Sequence, residues 1–144
     1  MPEANDAIPA GFERLTRTSP VTVPWEPLYS RLVDTRVILG LRASEQHCNH
    51  RGFVHGGVIS ALADAAMGYS VHATQAREDR KFQSRGAVTM HLSVDFLGVA
   101  HPGEWLEFQP RVLRIGTTVA FADCVVEADG KLVARADALF RIGD

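Results

Sequence analysis

The run Asn49-His50-Arg51-Gly52-Phe53-Val54-His55-Gly56-Gly57 gathers the groups best suited to hold a polarised carbonyl. Two glycines at a helix entrance permit close backbone approach, and their N–H groups have no partner inside the helix. Such a terminus favours an oxygen that gains negative charge during acyl transfer. The Asn49 amide can donate a second hydrogen bond to that oxygen. His55 can orient a neighbour or a bound substrate, although His-Gly-Gly is equally a tight loop capped by its own imidazole. Nine residues beyond His55 stands Asp64, midway along an apolar stretch. A carboxylate there has poor helix propensity and caps nothing. Burying it unpaired costs several kcal/mol or raises its pKa. It must either pair with an arginine elsewhere in the fold or act as a general base or nucleophile in a half-enclosed site.

Spacing constrains that choice. Eight residues separate Gly56 from Asp64, about 12 Å along a helix axis. A reacting carbonyl must lie within about 3 Å of both its oxyanion donors and the attacking group. One copy of the helix cannot supply both; a second copy related by a two-fold axis can. The expectation is a site between subunits, with the Asn49/Gly56 side of one chain facing Asp64 of the other.

The elements that must position these groups follow from periodicity. Val58 to about Gln75 lacks proline and is rich in alanine. Its apolar residues (Val58, Ile59, Leu62, Ala63, Ala66, Met67, Val71) cover more than one stripe, which predicts a buried helix. Before it, Leu32-Val33 and Val37 to Leu41 predict two short strands around an Asp34-Thr35 turn, and Ser44 to Gly52 predicts a loop. After it, Ala76 to Arg85 reads as a charged linker. Val88, Met90, Leu92, Val94 and Phe96 then alternate with polar residues, predicting a strand with that apolar set buried. Three further strands follow, beginning at Trp105, Thr117 and Leu132, the last two joined by an Asp129-Gly130 hairpin turn. Residues 1–27, with Pro2, Pro9, Pro20, Pro24 and Pro27, read as an N-terminal arm, possessing at most one short extended piece, on a domain spanning 28–144. The class is α+β: an antiparallel sheet curling around one long helix.

Composition narrows the function. The 144 residues are 46% hydrophobic and 22% charged, with a net charge of −2. That suits one self-sufficient domain and lacks the basic footprint of a nucleic-acid binder. No stretch is apolar enough to span a bilayer, and the acidic start lacks a secretory h-region, so a cytoplasmic protein with reduced thiols is expected. Cys48 and Cys124 make no disulfide framework. His47 and His50 lack a second ligand pair at metal-binding spacing, so no metal is expected, and no base accompanies Cys48 to make it a nucleophile.

At these residues the chain resembles a known family. N-x-x-G-x-V-H-G-G followed by A-L-A-D, then A-V-T-M-H-L-S-V-D-F-L, R-V-L-R-I-G-T-T and D-G-K-L-V-A-R-A, is similar to the hotdog-fold acyl-CoA thioesterases of the phenylacetic-acid-degradation type, from roughly Tyr29 to Ile142. The resemblance implies a curved sheet around a central helix, built as a homodimer and often as a homotetramer (a dimer of dimers), acting on a CoA thioester without a cofactor. It implies that Asp64 is the catalytic carboxylate, that Gly56 supplies the polarising N–H with Asn49 assisting, and that His55 is the motif histidine beside them. It also implies that Thr89, from the subunit bearing Asp64, holds the water. Strict alternation sets Thr89 opposite Val88 and Met90, so it reaches the site only near a strand end, at a bulge or at a subunit seam. Gly57, Arg114 and Gly116 are substrate-binding candidates. Arg111, Arg135, Arg77, Arg80, Lys81 and Arg85 are further choices for the CoA phosphates. Tyr69, Met67, Phe53 and Phe82 are candidates to line an acyl pocket. A non-catalytic acyl-CoA-binding module is the alternative reading, disfavoured by Asp64. A hydratase would need a differently spaced His and acid.

Overall fold

The structure, a computed structural model, describes residues 7–17, 19–78 and 86–143. Its elements in chain order are β1 (Glu13–Arg14), β2 (Tyr29–Val33), β3 (Arg36–Arg42), α1 (Gly56–Glu78), β4 (Ala87–Phe96), β5 (Trp105–Ile115), β6 (Val119–Ala128) and β7 (Lys131–Ile142). The strands form one antiparallel sheet in the order β1-β2-β3-β5-β6-β7-β4. This is the expected hotdog arrangement. The helix begins two residues earlier than its periodicity suggested and absorbs Ala76 to Glu78 from the expected linker; the rest of that linker lies outside the described residues. Both turns fall where expected. Asp34 takes φ 58° between β2 and β3, and Asp129-Gly130 takes φ 47° and 80° between β6 and β7. Positive φ at both central residues matches the twist of the flanking strands.

Val58, Ile59, Leu62, Ala63, Ala66, Met67 and Val71 of α1 are buried under the inner face of the sheet. Opposite them, β6 and β7 carry Ala120, Ala122, Ala134, Ala136 and Ala138, all buried. Small side chains at these positions let the helix lie close to the curved sheet without a void. Phe108, Phe140, Leu39, Leu41 and Leu106 fill the wider space. The buried Ser70 hydroxyl donates to Ala66 O and accepts from Val37 N–H, which ties mid-helix to the start of β3. Met67 belongs to this core, with 0% exposure, and does not line an acyl pocket as expected.

β4 departs from the sequence reading. Val88, Met90 and Phe96, expected on a buried face, are 67%, 57% and 52% exposed. For Val88 and Met90 the reason is a register shift between Thr89 and His91: Thr89 pairs with Phe140, His91 with Leu139, and Met90 is left over as a bulge. Phe96, opposite the buried Ala134, keeps the inner side and ends the strand against Gly56. A bulge adds one residue and so reverses the phase of the alternation. Ala87 and Thr89 therefore share the helix-facing side with Leu92 and Val94, while Val88 turns outward. β4 is also the terminal strand of the sheet, paired on one side only.

The N-terminal segment wraps the opposite edge. Phe12, Ile38 and Trp105 form a second small cluster on the outer face of the sheet, extended by Tyr29. Phe12 meets Trp105 edge-on at 5.2 Å, with Arg31 over the Phe12 ring and Arg42 over Trp105. β1 then pairs with β2, and the chain crosses to the inner side, where Leu15, Trp25 and Leu28 pack against the main core. Gly40 is what admits Trp105: a Cβ there would stand 2.3 Å from the indole Cζ2. Gly40→Ala should therefore lower stability by about 1–3 kcal/mol through overpacking, read as a lower denaturant midpoint; an unchanged midpoint would remove this account of how the arm is anchored.

Candidate active site

The loop before α1 is held by a buried histidine. His47, 2% exposed, accepts at Nδ1 from Ser44 N–H at 2.9 Å. That assigns its proton to Nε2, which donates to Trp25 O at 2.9 Å. His47 O in turn accepts from His55 N–H. One imidazole thus couples the arm, the loop and the residue that opens the helix.

Asn49 serves the loop with its oxygen and leaves its nitrogen available. Oδ1 accepts from Arg51 N–H at 2.9 Å and Phe53 N–H at 3.4 Å, closing an Asx turn. Among the described residues its Nδ2 has no partner. His55 caps α1: its Nδ1 accepts from Gly57 N–H at 2.8 Å. A Cβ on Gly57 would stand 2.9 Å from that nitrogen, so the second glycine is what the cap requires. The capping role of His-Gly-Gly is therefore realised, and it consumes the Gly57 N–H. The Gly56 N–H makes no hydrogen bond among the described residues, and the Phe96 ring packs against the Gly56 Cα. The donors left at this helix entrance are Gly56 N–H and Asn49 Nδ2, beside the positive end of the helix dipole.

Asp64 lies on the half-buried stripe of α1 rather than in the core. Thr89 Oγ1 donates to its Oδ1 at 2.7 Å, across the bulge described above. Among the described residues Asp64 makes no ion pair with an arginine or any other cation. The two residues line a crevice of about 220 Å³ at the open end of the sheet, with Tyr69, His72, Phe140 and Arg17. Sequence reasoning missed Arg17 and His72. Arg17 stands in a proline-rich stretch without periodicity, and His72 belongs to no motif.

The structure does not bring every candidate together. Arg114 pairs with Phe121 on the outer face of the sheet, three strands from Thr89 and away from the Asp64 crevice of the same chain. Gly116 closes the β5–β6 turn, its N–H bonded to Val119 O. Arg111 is held bidentately by Asp123, at 2.9 and 2.6 Å, Arg135 by Asp95 at 2.9 Å, and Arg77 by Asp34. Phe53 lies under Arg51 and is not part of the crevice wall. Arg80, Lys81, Phe82 and Arg85 lie outside the described residues.

Comparison with known proteins gives the family and the fold. Residues 51–134 match the model of the thioesterase superfamily. The sequence is 38% identical to "Putative esterase PA0474" of Pseudomonas aeruginosa over 136 residues, 94% of this chain and 97% of that one. It is 30% identical to acyl-coenzyme A thioesterase 13 of Homo sapiens over 104 residues, 69% of this chain and 68% of that one. In fold it is similar to a variant of the phenylacetic acid degradation protein PaaI from Thermus thermophilus, with TM-score 0.72 and 20% identity, covering 85% of this chain and 98% of the other.

Neither thiol competes for the chemical role. Burial pushes the Cys124 thiol up to about 12, with Asp123 adding to the effect. Burial, and then the neighbouring Glu45, also raise Cys48, whose Sγ donates to Ser44 O. Thiols held above their usual range are poor nucleophiles at neutral pH. Iodoacetamide at about pH 8 should leave Cys124 unlabelled in the native protein and label it after denaturation, as read by mass spectrometry. Equal labelling in both states would contradict the burial that sets its proton affinity.

Proposed function

Because this chain belongs to the thioesterase superfamily and is a thioester hydrolase, we propose that it cleaves acyl-CoA thioesters to free CoA and a carboxylic acid at sites shared by two subunits. The observation that carries the reading is the hydrogen bond from Thr89 to Asp64 at the rim of a crevice, beside a terminal strand whose outer edge is unpaired. That edge and its exposed Val88 and Met90 suit pairing with the same strand of a second copy under a two-fold axis. Such pairing would bring the helix entrance of one subunit towards Asp64 of the other, which the 12 Å axial separation within one helix (about eight residues at 1.5 Å) forbids in a single chain.

The reaction then divides between the entrance of one helix and the middle of another. The thioester oxygen accepts from Gly56 N–H and Asn49 Nδ2, donors that strengthen as the oxygen becomes negative. Asp64 of the partner subunit, oriented by the Thr89 hydroxyl, acts on the opposite side. As a base it takes a proton from water while the water oxygen bonds to the carbonyl carbon. The tetrahedral intermediate collapses with cleavage of the C–S bond, and the CoA sulfur leaves as thiolate and takes up a proton. As a nucleophile it would bond to the same carbon, expel the thiolate and leave an anhydride for water to open. Single turnover in ¹⁸O-water that places the label in Asp64 identifies the second route, with water opening the anhydride at the aspartyl carbonyl.

Asp64→Asn should lower kcat by roughly 10²–10⁴-fold with folding unchanged by circular dichroism; undiminished turnover of every CoA ester tested would reject the assignment. Thr89→Val removes one hydrogen bond to a charged group and should cost roughly tenfold or more in kcat. The shared site has its own test. Asn49→Asp keeps the oxygen that closes the loop and removes the donor. Mixed with Asp64→Asn after subunit exchange, it should restore up to about a quarter of wild-type activity, because half the dimers would carry one intact site. No recovery in exchanged dimers would place each site within a single chain.

A further inference from the structure

Arg17 enters the Asp64 crevice from the N-terminal arm, and the arm is fixed on both sides of it. Upstream, Phe12 is locked against Trp105 on the outer face of the sheet. Leu15 N–H donates to Leu28 O at 2.8 Å, and downstream Trp25 O accepts a hydrogen bond from His47 Nε2–H. Between these anchors the Arg17 guanidinium lies 4.9 Å from the centroid of the Tyr69 ring and lines the same crevice as Asp64 and Thr89. Among the described residues it makes no ion pair. A guanidinium laid on an aromatic face keeps its planar N–H edge for an acceptor, and the acceptor that matches this fork is a carboxylate.

Resting on the thioester-hydrolase reading above, we propose that Arg17 binds a second carboxylate at the far end of the acyl group, so that the preferred substrates are CoA monothioesters of short dicarboxylic acids. The crevice volume of about 220 Å³ is below the range of roughly 300–1,000 Å³ typical of drug-sized pockets, which suits a short acyl group. Gly68 and Ala87 keep its wall low. A neutral alkyl group of the same length would cover the Arg17 cation without pairing it, so discrimination acts both by attraction to the diacid and by desolvation against the plain chain.

The test compares kcat/KM for malonyl-, succinyl- and glutaryl-CoA with propionyl-, butyryl- and pentanoyl-CoA, with spontaneous hydrolysis subtracted. At least one diacid should exceed the neutral ester of equal carbon number by roughly tenfold or more. Arg17→Leu should collapse that ratio, mainly through KM, and Arg17→Lys should keep part of it. The corresponding N-acetylcysteamine thioesters, which lack the nucleotide phosphates, should show the same dependence on Arg17. Hydrolysis of the neutral esters with no diacid preference, or a preference that survives Arg17→Leu, overturns the proposal while the thioesterase reading stands. An Arg17 effect confined to the CoA esters assigns the residue to the phosphates and overturns it equally. Absence of hydrolysis for these esters alongside turnover of a longer or aromatic CoA ester overturns the proposal alone, and absence for every CoA ester would sink the underlying reading.

Discussion

A carboxylate can stand halfway along a helix this apolar only where the sheet stops covering the helix. The sheet covers α1 with β3, β5, β6, β7 and β4, and Asp64 lies beside the last of these, the terminal strand. There its oxygen meets a hydroxyl instead of a hydrocarbon wall. Enclosed completely, the same residue would have to stay protonated or find a cation. Half enclosed, it has a hydroxyl donor at one oxygen and an adjoining crevice beside it. The limited coverage of one helical stripe is thus the condition on which the proposed chemistry depends.

The bulge at Met90 makes that arrangement possible. In a regular strand the residues flanking position 90 would share one face, and Thr89 could not lie on the same side as Leu92 and Val94. One additional residue lets the strand present Thr89 to the helix and still return apolar side chains to the core three residues later, at Leu92. Bulges commonly re-aim a side chain beside a functional site. The exposed Val88 and Met90 on the unpaired edge follow from the same irregularity, so the feature that orients the carboxylate's partner also leaves a surface suited to a second copy.

At the entrance of the helix, the economy is one of donors. His55 uses Gly57 N–H, Asn49 uses its own Oδ1 to close the loop, and what remains are one backbone N–H and one side-chain amide. His47 fixes this loop from beneath through two backbone bonds and a shared carbonyl, with its neutral tautomer set by its neighbours. The imidazole that holds the loop is therefore not the one in the glycine motif. The arm it holds, through Trp25, is the same segment that carries Arg17 to the crevice.

Much of the architecture was legible in the chain itself. An apolar, alanine-rich helix, period-two strands and an Asp-Gly hairpin are local signals, and local sterics and propensity were enough to order them into a sheet around one helix. Asp64 was legible for the same reason, as a charge out of place in an apolar period, and so were Asn49, His55 and Gly56 at a helix entrance. Which face of β4 looks inward was not, because a bulge is settled by pairing with β7 and leaves no mark in the alternation of β4. Arg17 was invisible too: it has no pattern of its own, and its position comes from Phe12, Leu15 and Trp25 finding surfaces contributed by strands far along the chain. Periodicity reports the environment of an element relative to itself; which distant groups it meets is decided only when the non-local contacts close.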